Sequence, residues 1–381
     1  MEFMLILIIS CSIISFAQPD FLQNPDFELP PANLAENLTS TFVTLQENNT
    51  IPGWSFEGLV QYVISGKDVQ LPGNGHAILL GEDGKINQTF KADSNNQRFL
   101  LTFTMSLGGQ SCVANASLIV SAPDSEFHFS LKQNYSKGHL DSYGHQLGSW
   151  GGAEEKNLVL QSEAIDIDPN STCWPIVDSL RVKAVDPTLN DGLLNNGGFE
   201  VGPPFLETSS EGVLLDSVSS QVQSALQPWT VTGTIKYINS KNYFIPEGDA
   251  AVELVSGAGA GIQTTINIPQ DSSHVLEFML GDANDSCLGE FVVGVYAGSS
   301  TQNFSIQSAG TGSSKKYSIP FKGGSDRTSI IFQSYRTSRR EDGIFCGPVI
   351  DDVVLHSSGA LGHNFPVAIF LVLALVHLGW F

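Results

Sequence analysis

The feature that most constrains this chain is that it is written twice. Asn24-Pro-Asp-Phe27-Glu28 returns as Asn196-Gly-Gly-Phe199-Glu200, an offset of 172 at the phenylalanine (27 to 199). Trp54 and Tyr62 return as Trp229 and Tyr237, both at 175, and Cys112 and Cys173 return as Cys287 and Cys346, at 175 and 173. A steady offset over tryptophan, tyrosine, phenylalanine and cysteine marks a tandem duplication. Its period is far above the roughly 20–45 residues of stacking repeats, so each copy is a domain. A chain of 381 residues is long enough for two full cores. The polar stretch Asp186-Pro-Thr-Leu-Asn-Asp191 reads as the boundary. Domains are therefore expected at 18–187 and 188–356, packed together because the linker is short.

Each copy reads as short β-type runs between Gly, Pro, Asn and Ser. Leu59-Val-Gln-Tyr-Val-Ile64, Phe99-Leu-Leu-Thr-Phe-Thr104 and Ala116-Ser-Leu-Ile-Val120 are examples, as are Asn157-Leu-Val-Leu160, Glu290-Phe-Val-Val-Gly-Val-Tyr296 and Thr328-Ser-Ile-Ile-Phe332. Several alternate, and none extends into a helical period. Many short strands with regular turn signals predict an all-β fold, a jelly roll or sandwich in each domain.

The ends point outside the cell. Residues 1–17 carry an apolar run closed by Ser15-Phe16-Ala17 and read as a signal peptide. Residues 357–381 read as a glycosylphosphatidylinositol attachment signal: small residues with Ser357 or Ser358 as acceptor, a short spacer, then an apolar tail from Val367. That tail is shorter than the ~20 residues a membrane span needs. Eight N-x-S/T sequons lie between, at Asn37, Asn48, Asn87, Asn115, Asn134, Asn170, Asn284 and Asn303. Four cysteines remain once Cys11 leaves with the signal, and an even number suits an oxidising compartment. One pair per repeat gives Cys112–Cys173 and Cys287–Cys346. Each closes a loop worth about 4 kcal/mol on the chain-entropy model. The formal charge of −21 excludes nucleic acid and polyanionic surfaces as electrostatic partners, favours basic proteins, and gives no support to binding an acidic polysaccharide through bulk charge.

No catalytic centre stands out. There is no G-x-S-x-G, no H-E-x-x-H and no C-x-x-C. Gly257-Ala-Gly-Ala-Gly261 lacks the Lys-Ser/Thr of a phosphate loop and reads as a hairpin loop. Asp282/Asp285 and Asp351/Asp352 could pair as glycosidase carboxylates, which would need a cleft between them. Asp351 has a twin in Asp178, however, and a residue needed once per domain reads as structural. No cofactor is expected, although the acidic loop Asp282–Asp285 would accept a structural Ca²⁺. Trp54, Trp229, Tyr62 and Tyr237 read as core because they repeat. Ligand-contacting aromatics are sought among loop residues without twins: Tyr143 and Trp150 in the Gly-rich stretch 141–152, read as a loop, and Trp174.

Ile51-Pro-Gly-Trp54, Gly58-Leu-Val-Gln-Tyr62-Val-Ile-Ser-Gly66, Leu280-Gly-Asp-Ala-Asn-Asp-Ser-Cys287 and Cys346-Gly-Pro-Val-Ile-Asp-Asp-Val353 resemble the plant cell-wall family known as domain of unknown function 642. Asp191-Gly-Leu-Leu-Asn-Asn-Gly-Gly-Phe199-Glu200 resembles its domain-opening segment, and the likeness covers about residues 20–356. The resemblance implies two galactose-binding-like jelly rolls in a secreted, non-enzymatic wall protein. Its implied partners are wall polysaccharides and wall-modifying enzymes such as pectin methylesterases. The first copy departs from the pattern at Cys173-Trp-Pro, where Cys-Gly-Pro is expected, and at Gln110-Ser-Cys112. A protein-only adaptor at the plasma membrane is the alternative, and a glycan hydrolase a third. Exposed Trp or Tyr on a sheet face would favour sugar; an apolar patch would favour protein.

Overall fold

The computed structural model describes residues 21–358, except 33, 35–39, 66–70, 72–74, 93–94, 109–115, 133, 137–139, 165–172, 187–192, 208, 219–220 and 325–326. Among these residues the fold is all β, broken by one 3-10 turn at Gln221–Gln223. The first copy runs β1 (Phe42–Thr44), β2 (Ser55–Glu57), β3 (Val60–Ile64), β4 (His76–Leu80), β5 (Lys85–Lys91), β6 (Gln97–Leu107), β7 (Ser117–Ala122), β8 (Ser125–Ser130), β9 (Leu140–Trp150), β10 (Glu155–Glu163) and β11 (Pro175–Val185). The second runs β12 (Val213–Asp216), β13 (Thr230–Thr232), β14 (Thr234–Asn239), β15 (Ala250–Glu253), β16 (Gly261–Ile266), β17 (Ser273–Asp282), β18 (Leu288–Ala297), β19 (Ser300–Ala309), β20 (Ser313–Lys322), β21 (Thr328–Ser334), β22 (Ser338–Arg339), β23 (Phe345–Cys346) and β24 (Val349–Ser357). Every β run quoted from the sequence falls on one of these strands.

Each copy is a sandwich of a five-stranded sheet on half of a twelve-stranded one. The five-stranded orders are β2-β5-β10-β7-β8 and β13-β16-β21-β18-β19. The large sheet runs β1-β3-β4-β11-β6-β9 and continues without a break into β12-β14-β15-β24-β17-β20. Period-two burial explains the layering. In β10, Leu158 and Leu160 are buried while Asn157 is exposed, and in β16 Ile262, Thr264 and Ile266 alternate with exposed Gln263 and Thr265. The jelly-roll sandwich of the sequence reading is the observed architecture. One expectation needs correcting: Gly257–Gly261 is not a hairpin loop. It carries the chain from β15 in one sheet to β16 in the other.

The modules are not merely packed together. The last strand of the first half-sheet, β9, pairs in parallel with β12, Val213 opposite Ser142 and Leu214 opposite Tyr143. A Cβ on Gly144 would lie 2.7 Å from Leu215, 2.8 Å from Pro203 and 2.9 Å from Val213, so only glycine admits the second module this closely. Thr102 Oγ1 donates to Pro204 O at 2.6 Å, Gln146 Nε2 to Val222 O at 2.7 Å, and Phe345 N to Asn134 O at 2.7 Å. Lys132 pairs with Asp216 across the same seam. Leu100 and Val185 sit in the second module's core cluster and Leu214 in the first's. Two cores therefore interlock.

The repeated motifs are frame elements. Asn24 and Asn196 latch each opening segment: Asn196 bonds Val201 N and O at 3.0 and 2.8 Å, and Asn24 bonds Leu29 N and O at 2.9 and 3.0 Å. Trp54 Nε1 and Trp229 Nε1 donate to the carbonyls of those asparagines at 3.1 and 3.0 Å. Both rings are buried, as are Tyr62 and Tyr237. Cys287 and Cys346 are disulfide-bonded with Cα atoms 6.0 Å apart, within the usual span. Cys173 is also disulfide-bonded; Cys112 lies outside the described residues.

Candidate functional site

A polysaccharide-binding surface needs an exposed aromatic face with polar groups beside it. Among the described residues Tyr335 is the one aromatic side chain that is exposed, at 38%. It follows β21, and its backbone N–H donates to Val292 O at 3.0 Å, which sets it over β18. The ring lies over Gly294, where a Cβ would come within 2.4 Å of the phenol oxygen. The absence of a side chain at 294 is what lets the ring lie on the sheet. Tyr296, two residues on and therefore on the same face, bonds Tyr335 hydroxyl to hydroxyl at 2.5 Å. That bond holds the Tyr335 phenol above its ordinary pKa, so it stays neutral.

Polar side chains surround the pair. Gln333 and Asn303 are the cross-strand partners of Gly294 in β21 and β19. Gln263 pairs with Ile331, the neighbour of Tyr296, and Arg336 bridges to Glu290 at 2.9 Å. The face thus offers an aromatic plane, amides and a charged pair. Asn303 heads a sequon, so a glycan there would border the tyrosines.

The same places in the first module carry other chemistry. Ile119 of β7 pairs with Gln161 and His128, as Gly294 pairs with Gln333 and Asn303. Ser121 replaces Tyr296, and Glu163 replaces Tyr335. Glu163 accepts hydrogen bonds from Ser117 Oγ at 2.8 Å and pairs with His128 Nδ1 at 3.1 Å. These bonds, that of Ser117 first, hold its carboxyl below the usual range. Among the described residues the first module has no Phe, Tyr or Trp on this face.

The structure corrects the aromatic candidates taken from sequence. Tyr143 is fully buried and Trp150 is 5% exposed, both within strand β9 and the first core. Tyr143 donates to Ser130 O at 2.9 Å, and the Trp150 ring packs tilted against Phe99 with centroids 5.3 Å apart. Neither can offer a face to a ligand. Their Gly-rich stretch read as a loop; it is a strand whose glycine at 144 serves the seam. Trp174 is half-buried, on the outer side of the large sheet against Val63, Ala77, Leu79 and Ile176. Tyr335 itself was missed because it stands next to a β run and repeats nothing.

The paired carboxylates prove structural. Asp178 and Asp351 are buried at β-bulges. Each accepts the N–H of the next residue, Ser179 at 2.5 Å and Asp352 at 2.7 Å, and those residues have positive φ (53° and 44°). The bulges also hook the opening segments: Leu180 N donates to Pro25 O at 2.9 Å and Val353 N to Gly197 O at 3.0 Å. Burial pushes Asp178 up to about 8 and Asp351 up to about 7. Asp282 accepts from Gly312 N at 2.7 Å, Asn284 N at 3.2 Å and Ser313 Oγ at 2.8 Å, which engages both its oxygens with protein donors, while Asp285 accepts Cys287 N at 3.1 Å and lines a cleft. Among the described residues no group of three or more His, Cys, Asp or Glu side chains is placed to hold a metal.

Other predicted positions fall as follows. Asn48, Asn134, Asn284 and Asn303 are exposed and Asn87 is half-buried, while Asn37, Asn115 and Asn170 lie outside the described residues. Ser357 ends β24, and Ser358 N donates to Ser273 O at 2.9 Å. Among the described residues no helix is long and apolar enough to cross a membrane. A cleft of about 660 Å³ lies beside the second disulfide, lined by Glu211, Asp285, Arg340, Glu341, Asp342 and Leu288, which is 57% exposed.

The model of the family described as "Protein of unknown function (DUF642)" matches residues 20–183 and again 192–356. The chain belongs to this family. Among its relatives, the Arabidopsis thaliana protein DUF642 L-galactono-1,4-lactone-responsive gene 2 is 32% identical over 91% of this chain and 93% of its own. Protein TEEBE, also from Arabidopsis thaliana, is 29% identical over 88% and 90%. Solved structures that overlay include a family 61 carbohydrate-binding module in complex with β-1,4-galactotriose, at 11% identity and TM-score 0.30, over 44% of this chain and all of that one. A tandem of two family 22 modules from a Paenibacillus barcinonensis protein overlays at 10% identity and TM-score 0.27, over 83% and 97%. Overlays at that level fall short of a common-fold assignment.

Proposed function

We propose that this family member is a non-enzymatic, extracellular binding protein of the plant cell wall that holds polysaccharide on the outer face of its second module. One observation carries the reading: Tyr335, the one exposed Phe, Tyr or Trp among the described residues, lies over Gly294 and is bonded to Tyr296, with amides on both sides. Aromatic planes suit the apolar faces of sugars, and the amides suit hydroxyls. The secretory signal, the glycans and a lipid anchor at Ser357 or Ser358 belong to the same proposal and would keep the protein at the outer face of the plasma membrane. The test is binding of the secreted protein to a panel of wall polysaccharides. Wild type should bind at least one, and Tyr335→Ala should lose about tenfold in affinity, or about 1.4 kcal/mol. Equal binding by Tyr335→Ala removes the site.

A protein partner is favoured by a different feature. The cleft beside Cys287–Cys346 gathers four acidic side chains around the exposed Leu288, a surface suited to a basic segment with an apolar anchor. A wall-modifying enzyme such as a pectin methylesterase is the partner proposed there. Leu288→Asp should abolish its capture and leave polysaccharide binding intact.

A further inference from the structure

The two tyrosines of the outer face are set apart from every other tyrosine in the chain. There are eight, all of them among the described residues. Tyr62, Tyr143, Tyr237 and Tyr317 donate their hydroxyls to backbone carbonyls. The Tyr243 hydroxyl accepts a backbone N–H, and that of Tyr135 bonds Thr234. These phenols are tied to the frame. Tyr296 and Tyr335 instead bond each other, oxygen to oxygen at 2.5 Å, and neither hydroxyl has a second partner among the described residues.

On an open face such a bond adds little to stability, since water would serve either hydroxyl as well. What it does is hold two oxidisable rings in contact. Tyr335 is 38% exposed and Tyr296 half-buried, so Tyr335 can lose an electron to a reagent in solution and its proton to water. Gly294 sets the approach. A Cβ there would lie 2.4 Å from the Tyr335 oxygen and 2.5 Å from its Cζ, so any larger residue would lift the ring away. The two residues are 39 apart in sequence, and the antiparallel pairing of β18 with β21 brings them together. Their meeting is fixed by the sheet. A partner already in contact outcompetes one that must diffuse in.

We propose that Tyr296 and Tyr335 are an oxidative cross-linking site, joined to each other by a haem peroxidase with hydrogen peroxide as the oxidant. Each phenol gives up one electron and one proton. The two radicals then couple, and a bond forms between the oxygen of one ring and the carbon ortho to the hydroxyl of the other. With the oxygens touching, that carbon is reached by a small turn of either ring. Its hydrogen moves to the second ring's own oxygen and restores that hydroxyl. The protein loses two hydrogens in all, and one peroxide is reduced to two waters. The product ties β18 to the end of β21 by an ether. The site rests on the extracellular placement for its oxidant and not on polysaccharide binding.

The test is treatment of the secreted full chain with hydrogen peroxide and a haem peroxidase, followed by peptide mass mapping and thermal unfolding. Wild type should stay monomeric, lose two hydrogens and yield a peptide pair joined at Tyr296 and Tyr335. It should also melt higher than untreated protein, because a cross-link restricts the unfolded chain. Tyr296→Phe and Tyr335→Phe should each give none of the joined pair, while Tyr317→Phe should cross-link like wild type. Gly294→Ala, which keeps both phenols and displaces one ring, should lower the yield by about tenfold. No joined pair in wild type, at a dose that couples free N-acetyltyrosine, overturns the proposal. So does an undiminished yield in Gly294→Ala, or a product made chiefly of two chains joined through Tyr335. A joined pair with the fluorescence of a carbon–carbon biphenol would overturn the ether. Polysaccharide binding enters none of these measurements, so either reading can fail while the other stands.

Discussion

The strands β9 and β20 hold the same place in the two modules, and they have opposite fates. Each closes its half of the large sheet, pairing with β6 and β17 respectively. Nearly every residue of β9 is buried, because β12 and the Pro203–Phe205 segment cover it. Strand β20 is a free edge. It carries Lys315, Lys316 and Lys322 and a proline at 320, the charge and missing donor that keep edges from pairing with other chains. The five-stranded faces diverge as well, with Glu163 and Ser121 in one module and Tyr335 and Tyr296 in the other. Duplication kept the frame and released the faces. One copy became the platform for docking its twin, and the other kept an open aromatic face.

The comparison can be broken first at the frame, where the largest effects lie. Trp54→Ala and Trp229→Ala should each cost about 3–5 kcal/mol. Because the sheet is continuous, calorimetry should show one unfolding transition in wild type and in both variants; two separate transitions would mean that the seam does not couple the modules.

The next effect comes from acid. Asp178 and Asp351 have folded pKa values of about 8 and about 7, above the ordinary carboxylate value. The folded state therefore binds more protons between pH 4 and 8, and their stabilisation is full below the unfolded pKa and lost as pH rises through the folded one. Denaturant midpoints should fall from pH 4.5 to pH 8 as the unfolding free energy drops by on the order of a few kcal/mol in all. Asp351→Asn should flatten that slope. A midpoint that rises over the same range would contradict the burial argument.

The seam is tested by one matched pair. Gly144→Val should destabilise by about 1–3 kcal/mol through overpacking against Leu215 and Pro203. Ser318→Val, at the corresponding exposed place on β20, should stay within about 0.5 kcal/mol. Equal costs would erase the distinction between covered and free edge. The smallest effect is at the faces: removing the sequon by Asn303→Gln should raise polysaccharide affinity severalfold, whereas Asn87→Gln in the first module should leave it unchanged.

Much of the frame was legible before folding. The paired Trp, Tyr, Asn and Asp positions announced the duplication, and their burial follows from it, since a residue kept in both copies serves what both copies share. The aromatic candidates failed for the converse reason. Tyr143 and Trp150 lack twins because β9 faces a neighbour that the second copy does not have, which is a packing difference and not a ligand site.

The sequence by itself determined the β class, the two modules, their cysteine spacing and the structural character of the twinned aspartates, because alternation, turn residues and repeat offsets are local or periodic signals. Only the tertiary structure decided that β9 joins β12, that Tyr335 lies open over Gly294, and that Arg98 is buried at the seam against Gln227. Each of these depends on contacts between residues far apart in the chain, and no local pattern records which face a second module will cover.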